Sequence, residues 1–265
     1  MPVYDLVDMM VTDEQIEKAA KLILEAKNAI VLTGAGIGTE SGIPDFRSPG
    51  TGLWTKIDPY EFGTASTFRQ NPTSFFDLAR ELAPMLFSAR PNPGHKALAK
   101  LEKMGYIKTI ITQNIDDLHQ RAHSKNIIEV HGNLREAYCE RCGKLVPIWK
   151  LVEDFFVNQS IPTCKCGGMV RPNVVMFGEQ PHNIPQSFKL AEECDLCIVV
   201  GSSLVVMPIN MVPQIALNHG AKLLIINWGE AAETHLDEEA TLVIHEKAGV
   251  ALPKILEKIK KLTGK

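Results

Sequence analysis

Four of the six cysteines form two tight pairs, Cys139-Glu-Arg-Cys142 and Cys164-Lys-Cys166, with 21 residues between them. Paired thiolates on two turns are the ligand set of a tetrahedral zinc site. Glycines follow each pair, at Gly143 and Gly167-Gly168, and free backbone amides to approach sulfur. The second pair has one intervening residue where two is usual. A competing pair, Cys194-Asp-Leu-Cys197, places Cys197 inside the apolar run Leu196 to Val200. There a small buried thiol packs as a hydrophobe. Cys139, Cys142, Cys164 and Cys166 are therefore the expected ligands of one Zn2+ per chain. Four thiolates leave no open coordination position, so that metal is structural and not catalytic.

A second candidate is the loop Gly34-Ala-Gly-Ile-Gly-Thr-Glu-Ser-Gly42, which follows the apolar run Ala29 to Thr33. Glycines after a strand let backbone amides approach a pyrophosphate, and a helix N-terminus behind them favours its charge. A dehydrogenase fingerprint would carry glycine at position 39 and a second strand ending in an acid about twenty residues on. Here position 39 is Thr, and Ile43-Pro-Asp-Phe-Arg-Ser-Pro49 reads as a loop. Hydride transfer is a poor reading, whereas a dinucleotide ligand stays in view. A third candidate is the polar run Gln113-Asn-Ile-Asp116 after the run Ile107 to Thr112; helix capping by Asp116 or Asp117 alone could account for it. A fourth is His131, which closes the run Ile127 to Val130 before Gly132. Histidine titrates near neutrality and suits a general base, though an isolated one is more often structural.

These residues need elements to hold them. Thr12-Asp-Glu-Gln15 has capping-box form, and Ile16, Ala20, Ile23 and Leu24 then recur at helical spacing. Asn71 to Phe87 predicts a helix that Pro84 kinks or ends. Asn92 to Met104 predicts another, closed by Gly105. Apolar runs at 29–33, 107–112, 127–131, 196–200, 223–227 and 241–244 predict strands buried on both faces, as in a parallel sheet. Strands alternating with helices predict a doubly wound α/β sheet. Residues 48–96 lack a clear strand, and residues 137–172 hold the cysteine pairs and several prolines. Both read as insertions on one layered core.

The composition is that of an ordinary globular chain. It has 265 residues, 45 % hydrophobic and 22 % charged, which excludes disorder. A net charge of −3 gives no global support for direct nucleic-acid binding. Met-Pro-Val-Tyr-Asp is not a basic n-region with an apolar run behind it, so no signal peptide is expected. The longest uncharged run, Leu196 to Ala221, is broken by Gly201, Pro208 and Pro213 and predicts no membrane span. Six cysteines without a leader imply a reducing compartment, and the expected location is cytoplasmic.

Five motifs in order then resemble the sirtuins, NAD-dependent protein-lysine deacylases. They are Gly34-Ala-Gly-Ile-Gly-Thr-Glu-Ser-Gly-Ile-Pro-Asp-Phe-Arg47, Thr112-Gln-Asn-Ile-Asp116, Val130-His-Gly132, Phe177-Gly-Glu179 and Gly201-Ser-Ser-Leu204. The four-cysteine module falls between the third and fourth, as in that family. Two departures are Gly38, where the family often has Ser, and Ser202, where Thr is common. The resemblance implies one catalytic domain over 1–265. It has a large Rossmann-like part (about 1–47, 97–136 and 173–265) with helices on both faces of a parallel sheet. A small domain combines a helical insertion (about 48–96) with the zinc module (about 137–172). It further implies NAD as co-substrate and an acyl-lysine protein or peptide as partner, meeting in the cleft between the two parts.

The resemblance also assigns roles. The acyl oxygen displaces nicotinamide, and His131 accepts a proton as the ribose hydroxyls attack the intermediate. The products are free lysine, nicotinamide and O-acyl-ADP-ribose. Phe46 shields the reacting carbon from water. Asn114 meets the nicotinamide ribose, and Ile115 and Asp116 the carboxamide, with Gln113 beside them. Ala35, Thr39 and Arg47 hold the pyrophosphate side, helped by Ser202 and Ser203. Asn227 meets the adenosine ribose, and Lys247 and Ala248 lie near adenine. Val175 to Gly178 pairs with the substrate backbone as an added strand, and Phe177 lines the lysine tunnel. Two other readings are kept: mono-ADP-ribosyl transfer to protein, and a non-catalytic NAD-binding zinc ribbon. The oligomeric state is left open.

Overall fold

Strand β1 (Ala29–Thr33) has no exposed residue, as a run with no charged side chain should. Its neighbours decide which atoms it meets. In the computed structural model, six strands form one parallel sheet in the order β3-β2-β1-β7-β8-β9. They are β1, β2 (Thr109–Thr112), β3 (Ile127–Glu129), β7 (Leu196–Val200), β8 (Lys222–Asn227) and β9 (Leu242–His245). The structure describes residues 11–45, 48, 50, 52–55, 58, 63–158, 160–229 and 232–265.

Both faces of this sheet are covered. Ala29 and Val31 face one core with helices α1 (Asp13–Glu25), α4 (Pro93–Lys103) and α9 (Ala248–Thr263). Ile30 and Leu32 face the other with α7 (Ile184–Glu193) and α8 (Met211–Asn218). The two-residue period of a strand thus splits β1 between two cores. At the start of α1 the capping box is complete: Thr12 accepts from Gln15 N, and Gln15 accepts from Thr12 N at 3.0 Å.

A second, antiparallel sheet has the order β5-β4-β6. Its strands are β4 (Gly132–Cys139), β5 (Leu145–Pro147) and β6 (Val170–Val174). It shares a core with α2 (Ala65–Gln70), α3 (Pro72–Ser88) and α6 (Ile148–Val152), through Phe68, Phe76, Ala137, Leu151 and Val170. Aromatic rings bind this core: Phe68 and Phe75 meet edge to face with centroids 5.2 Å apart, and Phe76 and Phe155 lie tilted at 4.8 Å. The two inserted segments therefore pack on each other.

Two expectations need correction. Pro84 lies inside α3, which runs on to Ser88. It does not end the helix: one more turn follows it, and the missing N–H leaves the Arg80 carbonyl without its usual donor four residues on. Strand β2 starts at Thr109 and β3 ends at Glu129, both shorter than their apolar runs.

Candidate active site

All six strands of the large sheet are parallel, so their carboxyl ends meet at one edge. The order reverses between β1 and β7, and ligands of such sheets bind in the crevice outside that switch point. Gly34 and Gly201 follow these two strands directly. Gly34 N donates to Val200 O at 3.1 Å, and Gly36 N to Gly201 O at 2.9 Å. A Cβ on Gly36 would lie 2.7 Å from Gly201 Cα, and one on Gly201 (φ +61°) 2.3 Å from Ile37 N. No side chain fits where these backbones cross. The loop continues as a single 3-10 segment, Ala35–Ser41, capped by left-handed Gly42. Ala35 is half-buried and Thr39 exposed, and Thr39 Oγ1 donates to Gly36 O at 2.9 Å. A Cβ on Gly38 would meet Asp116 Oδ2 at 3.6 Å, an ordinary contact.

The polar run after β2 is fixed at several points. Gln113 N donates to Thr33 O, and Gln113 Nε2 to Ser202 Oγ at 2.9 Å. Asn114 Nδ2 donates to Gly34 O at 3.0 Å. Asp116 Oδ1 accepts from Leu118 N at 2.9 Å, so it does cap the turn that follows. Capping does not exhaust it: burial pushes its carboxyl up to about 6, with Asp117 adding to the rise. Such a displaced carboxyl marks a site that sheds water.

His131 Nδ1 lies 3.1 Å from the carbonyl oxygen of Gln113. A carbonyl only accepts, so Nδ1 carries the proton and Nε2 is the basic nitrogen. Burial pushes the His131 pKa down, and the Gln113 carbonyl partly restores it. The next residue, Gly132, has φ +78°, and a Cβ there would lie 2.0 Å from Asn173 O. This close approach pairs Gly132 with Val174 and lets Val175 N donate to His131 O at 2.9 Å. The strand-end histidine and the Val175–Gly178 segment are thereby joined. Phe177 N donates to Gly63 O and Ala65 N to Phe177 O, so part of that segment's backbone is already paired within the chain.

On the other side of the switch point, Ser202 N donates to Asn227 Oδ1 at 3.0 Å. Asn227 Nδ2 donates to Ser202 O and Ala232 O. Both N–H donors of the Asn227 amide are used in these bonds, which organise the loop after β7, while Oδ1 keeps a second acceptor position. Ser203 is half-buried beside it. Lys247, exposed at the start of α9, stands over the exposed Trp228 ring at 5.8 Å, and Ala248 is buried. Phe46 and Arg47 lie outside the described residues.

The four module sulfurs all lie within 4.8 Å of one another, with Cys139–Cys166 at 3.5 Å and Cys142–Cys164 at 3.8 Å. Sulfurs about 2.3 Å from a zinc ion stand about 3.8 Å apart in a tetrahedron, so the set fits the ion. Backbone N–H groups, that of Cys142 first, pull the Cys139 thiol down to about 7, toward the thiolate a metal needs. The short second spacing is made possible by glycine: Gly167 is left-handed, and a Cβ on Gly168 would lie 2.7 Å from Cys139 Sγ. Cys194 and Cys197 are buried elsewhere, in the core of the large sheet.

Several residues escaped the sequence reading. Arg171 is 1 % exposed, donating to Glu140 at 3.0 Å, to Val174 O at 2.9 Å and to Glu179. It ties the metal module to the segment beside His131. A charged residue between Val170 and Pro172 was the available signal. Glu40 accepts from Gly249 N at 2.6 Å, joining the glycine loop to the start of α9. Asn92 Nδ2 donates to Ile37 O at 2.7 Å, clamping the same loop to α4.

Residues 34–208 match the Sir2 family. The chain is 45 % identical over 249 residues to an NAD-dependent protein deacetylase of Sulfolobus acidocaldarius, covering 94 % of this chain and 97 % of that one. A Sir2 structure with a deacetylated p53 peptide and 3′-O-acetyl ADP-ribose is similar at TM-score 0.84 and 38 % identity, covering 94 % of this chain and 98 % of that one. A Sir2 structure bound to a myristoylated histone peptide is similar at TM-score 0.79 and 38 % identity, covering 96 % and 99 %.

Proposed function

This chain belongs to the Sir2 family, and from that premise we propose that it works as an NAD-dependent protein-lysine deacylase with His131 as its general base. The enzyme consumes NAD and an acylated lysine and releases nicotinamide and O-acyl-ADP-ribose. The observation that carries the reading is the tautomer imposed on His131 by Gln113 O, at the edge where Asn114 and Asp116 also stand. A binding module has no use for a buried neutral imidazole with a basic nitrogen to spare.

NAD supplies the electrophilic anomeric carbon, and the chain's residues orient it. Ala35, Thr39, Arg47, Ser202 and Ser203 flank the pyrophosphate, with Asn227 holding the Ser202 loop in place. Asn227 meets the adenosine ribose, and Lys247 and Ala248 flank the adenine. Asn114 holds the nicotinamide ribose, and Ile115 and Asp116 the carboxamide. With its carboxyl displaced only to about 6, Asp116 is mostly a carboxylate at neutral pH and can accept from the carboxamide N–H. Phe46 excludes water from the reacting centre. His131 Nε2 then takes the ribose proton. Val175, Phe177 and Gly178 hold the peptide. Zinc on Cys139, Cys142, Cys164 and Cys166 fixes the module, and Arg171 passes that rigidity to Glu179. The six-stranded part is the dinucleotide-binding domain, and the three-stranded sheet with α2, α3 and α6 is the small one.

We also infer a preference for neutral acyl chains. Arg80 is the only arginine between Arg69 and Arg90. It is paired with Asp77 at 2.8 Å and stacked over the Phe155 ring at 4.2 Å. It is thus committed within the small domain and not held for an acyl carboxylate.

The experiment is nicotinamide release from NAD with and without an acetyl-lysine peptide, repeated for His131→Ala. Attack by the acyl oxygen removes no proton, whereas the next step deprotonates a hydroxyl. His131→Ala should therefore lose deacylation by about 10²–10⁴-fold while nicotinamide exchange survives better. Equal loss of both, in a folded variant, counts against the assignment.

A further inference from the structure

Two histidines outside the motifs are more deeply buried than His131. His95 on α4 is 0 % exposed, and His119, in the short helix α5 (Leu118–Arg121), is 1 % exposed. Their rings lie 4.9 Å apart between centroids. Neither ring nitrogen of His95, nor Nδ1 of His119, has a hydrogen-bond partner among the described residues. Unpartnered buried nitrogens destabilise a fold, and an aliphatic side chain would fill the same core without that cost. Burial holds both rings neutral, pushing His95 down to about 4 and His119 to about 3. A feature that weakens the scaffold calls for a reason in the site.

The reason lies in the one bond His119 does make. Its Nε2 is 2.9 Å from Thr33 Oγ1. Thr33 Oγ1 donates to Thr112 Oγ1 at 2.8 Å. Thr112 Oγ1 in turn accepts from Asn114 N at 3.1 Å. Thr33 and Thr112 are paired residues at the ends of β1 and β2. The protons run one way along this line. Thr33 gives its hydroxyl proton to Thr112, so its oxygen takes the single N–H of a neutral His119.

The line does not stop at Asn114. The N–H of Asn114 and the C=O of Gln113 belong to one peptide bond, which is planar. The N–H side of that plane is held by Thr112, and the C=O side meets His131 Nδ1 at 3.1 Å. Turning the plane would release both bonds together.

We propose that His119 is a positioning residue for His131, acting through Thr33, Thr112 and the Gln113–Asn114 peptide plane. It touches neither substrate nor reacting atoms. It sets the direction of two hydroxyls, and the peptide plane carries that direction to the imidazole. The proposal rests on His131 being the general base.

The test uses the full chain with zinc bound and Thr33 as the point of interruption. Thr33→Val keeps the shape of the side chain and breaks the line, while Thr33→Ser keeps the hydroxyl. His119→Phe is the second variant. Thr33→Val and His119→Phe should each lower kcat for deacylation by about tenfold, the low end of the loss that follows removal of an outer hydrogen-bond partner from a metal-bound histidine. KM for NAD and nicotinamide exchange should change by less than about threefold. Thr33→Ser should recover most of the lost kcat. In a His131→Ala background, Thr33→Val should cost deacylation nothing more, since coupled residues are not additive.

The idea is overturned if Thr33→Ser is as impaired as Thr33→Val, if exchange falls in step with deacylation, or if the loss persists without His131. A silent Thr33→Val in an active enzyme sinks this inference alone. A wild-type chain whose deacylation is indifferent to His131→Ala sinks the reading beneath it.

Discussion

Asp116→Asn should make the protein more stable and less active, and the size of the first effect follows from burial. The Asp116 carboxyl is pushed up from 3.8 to about 6, chiefly because it has lost water; the Leu118 N–H and Arg121 oppose the shift. In the unfolded chain it returns to its ordinary value. The folded state therefore binds this proton more tightly than the unfolded one. That contribution to stability is fully present below about pH 3.8 and is lost as pH rises through about 6. A shift of about two units, at about 1.4 kcal/mol each, amounts to about 3 kcal/mol. Above pH 6 the wild type carries that deficit, and an asparagine never ionises. The carboxamide oxygen of the variant would still accept from Leu118 N, and its NH2 group would face the open side of Gly38. The variant should gain about 3 kcal/mol at pH 8, or roughly 6–12 °C in Tm for a chain of this size. The gain should shrink to about half near pH 5. Nicotinamide release should fall, because the amide loses the negative charge and one of the two oxygen acceptors that a carboxylate offers. Urea unfolding of both proteins with zinc present, from pH 5 to 8, reads the first effect. Equal midpoints at pH 8, or a gap that does not vary with pH, would refute the reasoning.

Two other outcomes are expected. Cys139→Ser should abolish zinc binding and reduce soluble yield, whereas Cys194→Ser and Cys197→Ser should keep one zinc per chain by elemental analysis; metal lost from either of the latter would mean the wrong cysteines were chosen. On one peptide carrying acetyl, butyryl, myristoyl or succinyl lysine, kcat/KM should be lowest for succinyl by a hundredfold or more, roughly the penalty for a buried carboxylate with no cation; succinyl turnover equal to acetyl would end that proposal.

The elements most legible in the sequence are those buried on both faces. Strands β1, β7 and β8 announce themselves because a parallel central strand offers nothing to water, so its residues need no pattern beyond being apolar. Strand β4 hides for the opposite reason. Arg135 and Glu136 face solvent, and Cys139 serves the metal site, so hydropathy shows no run. The cysteine spacing marked that region as a module without revealing its sheet. In the site, residues carried by local motifs were visible, and those whose reason is distant were not. His119 finds Thr33 across 86 positions, and Arg171 finds Glu140 across 31. The strand-end position of Asn227 predicts nearness to a ligand, and the structure adds the bonds of its amide to Ser202 and Ala232. A strand end predicts nearness to a ligand and says nothing of which neighbour claims the side chain.

The two edges of the large sheet show where stability was given up. At the amino end, Asp195 is half-buried and fully engaged: its carboxylate accepts from Lys27 N at 2.7 Å and Asn28 N at 2.9 Å. That edge holds a charge in the way any fold should. At the carboxyl end the same sheet carries a carboxyl displaced to about 6, two buried neutral imidazoles with three unpartnered nitrogens among the described residues, and glycine contacts that leave no room for a methyl group. None of these improves packing, and the cores on either face of the sheet are built without them. Sequences agree with their folds at most positions and depart where a site demands it. On that logic the carboxyl edge is where chemistry is done, and the departures there are the price of a dry pocket that displaces Asp116 toward neutrality and keeps a proton off His131 Nε2. Removing either departure should trade activity for stability, in opposite directions from a mutation at Asp195, where the loss of two backbone bonds weakens the fold and leaves the chemistry alone.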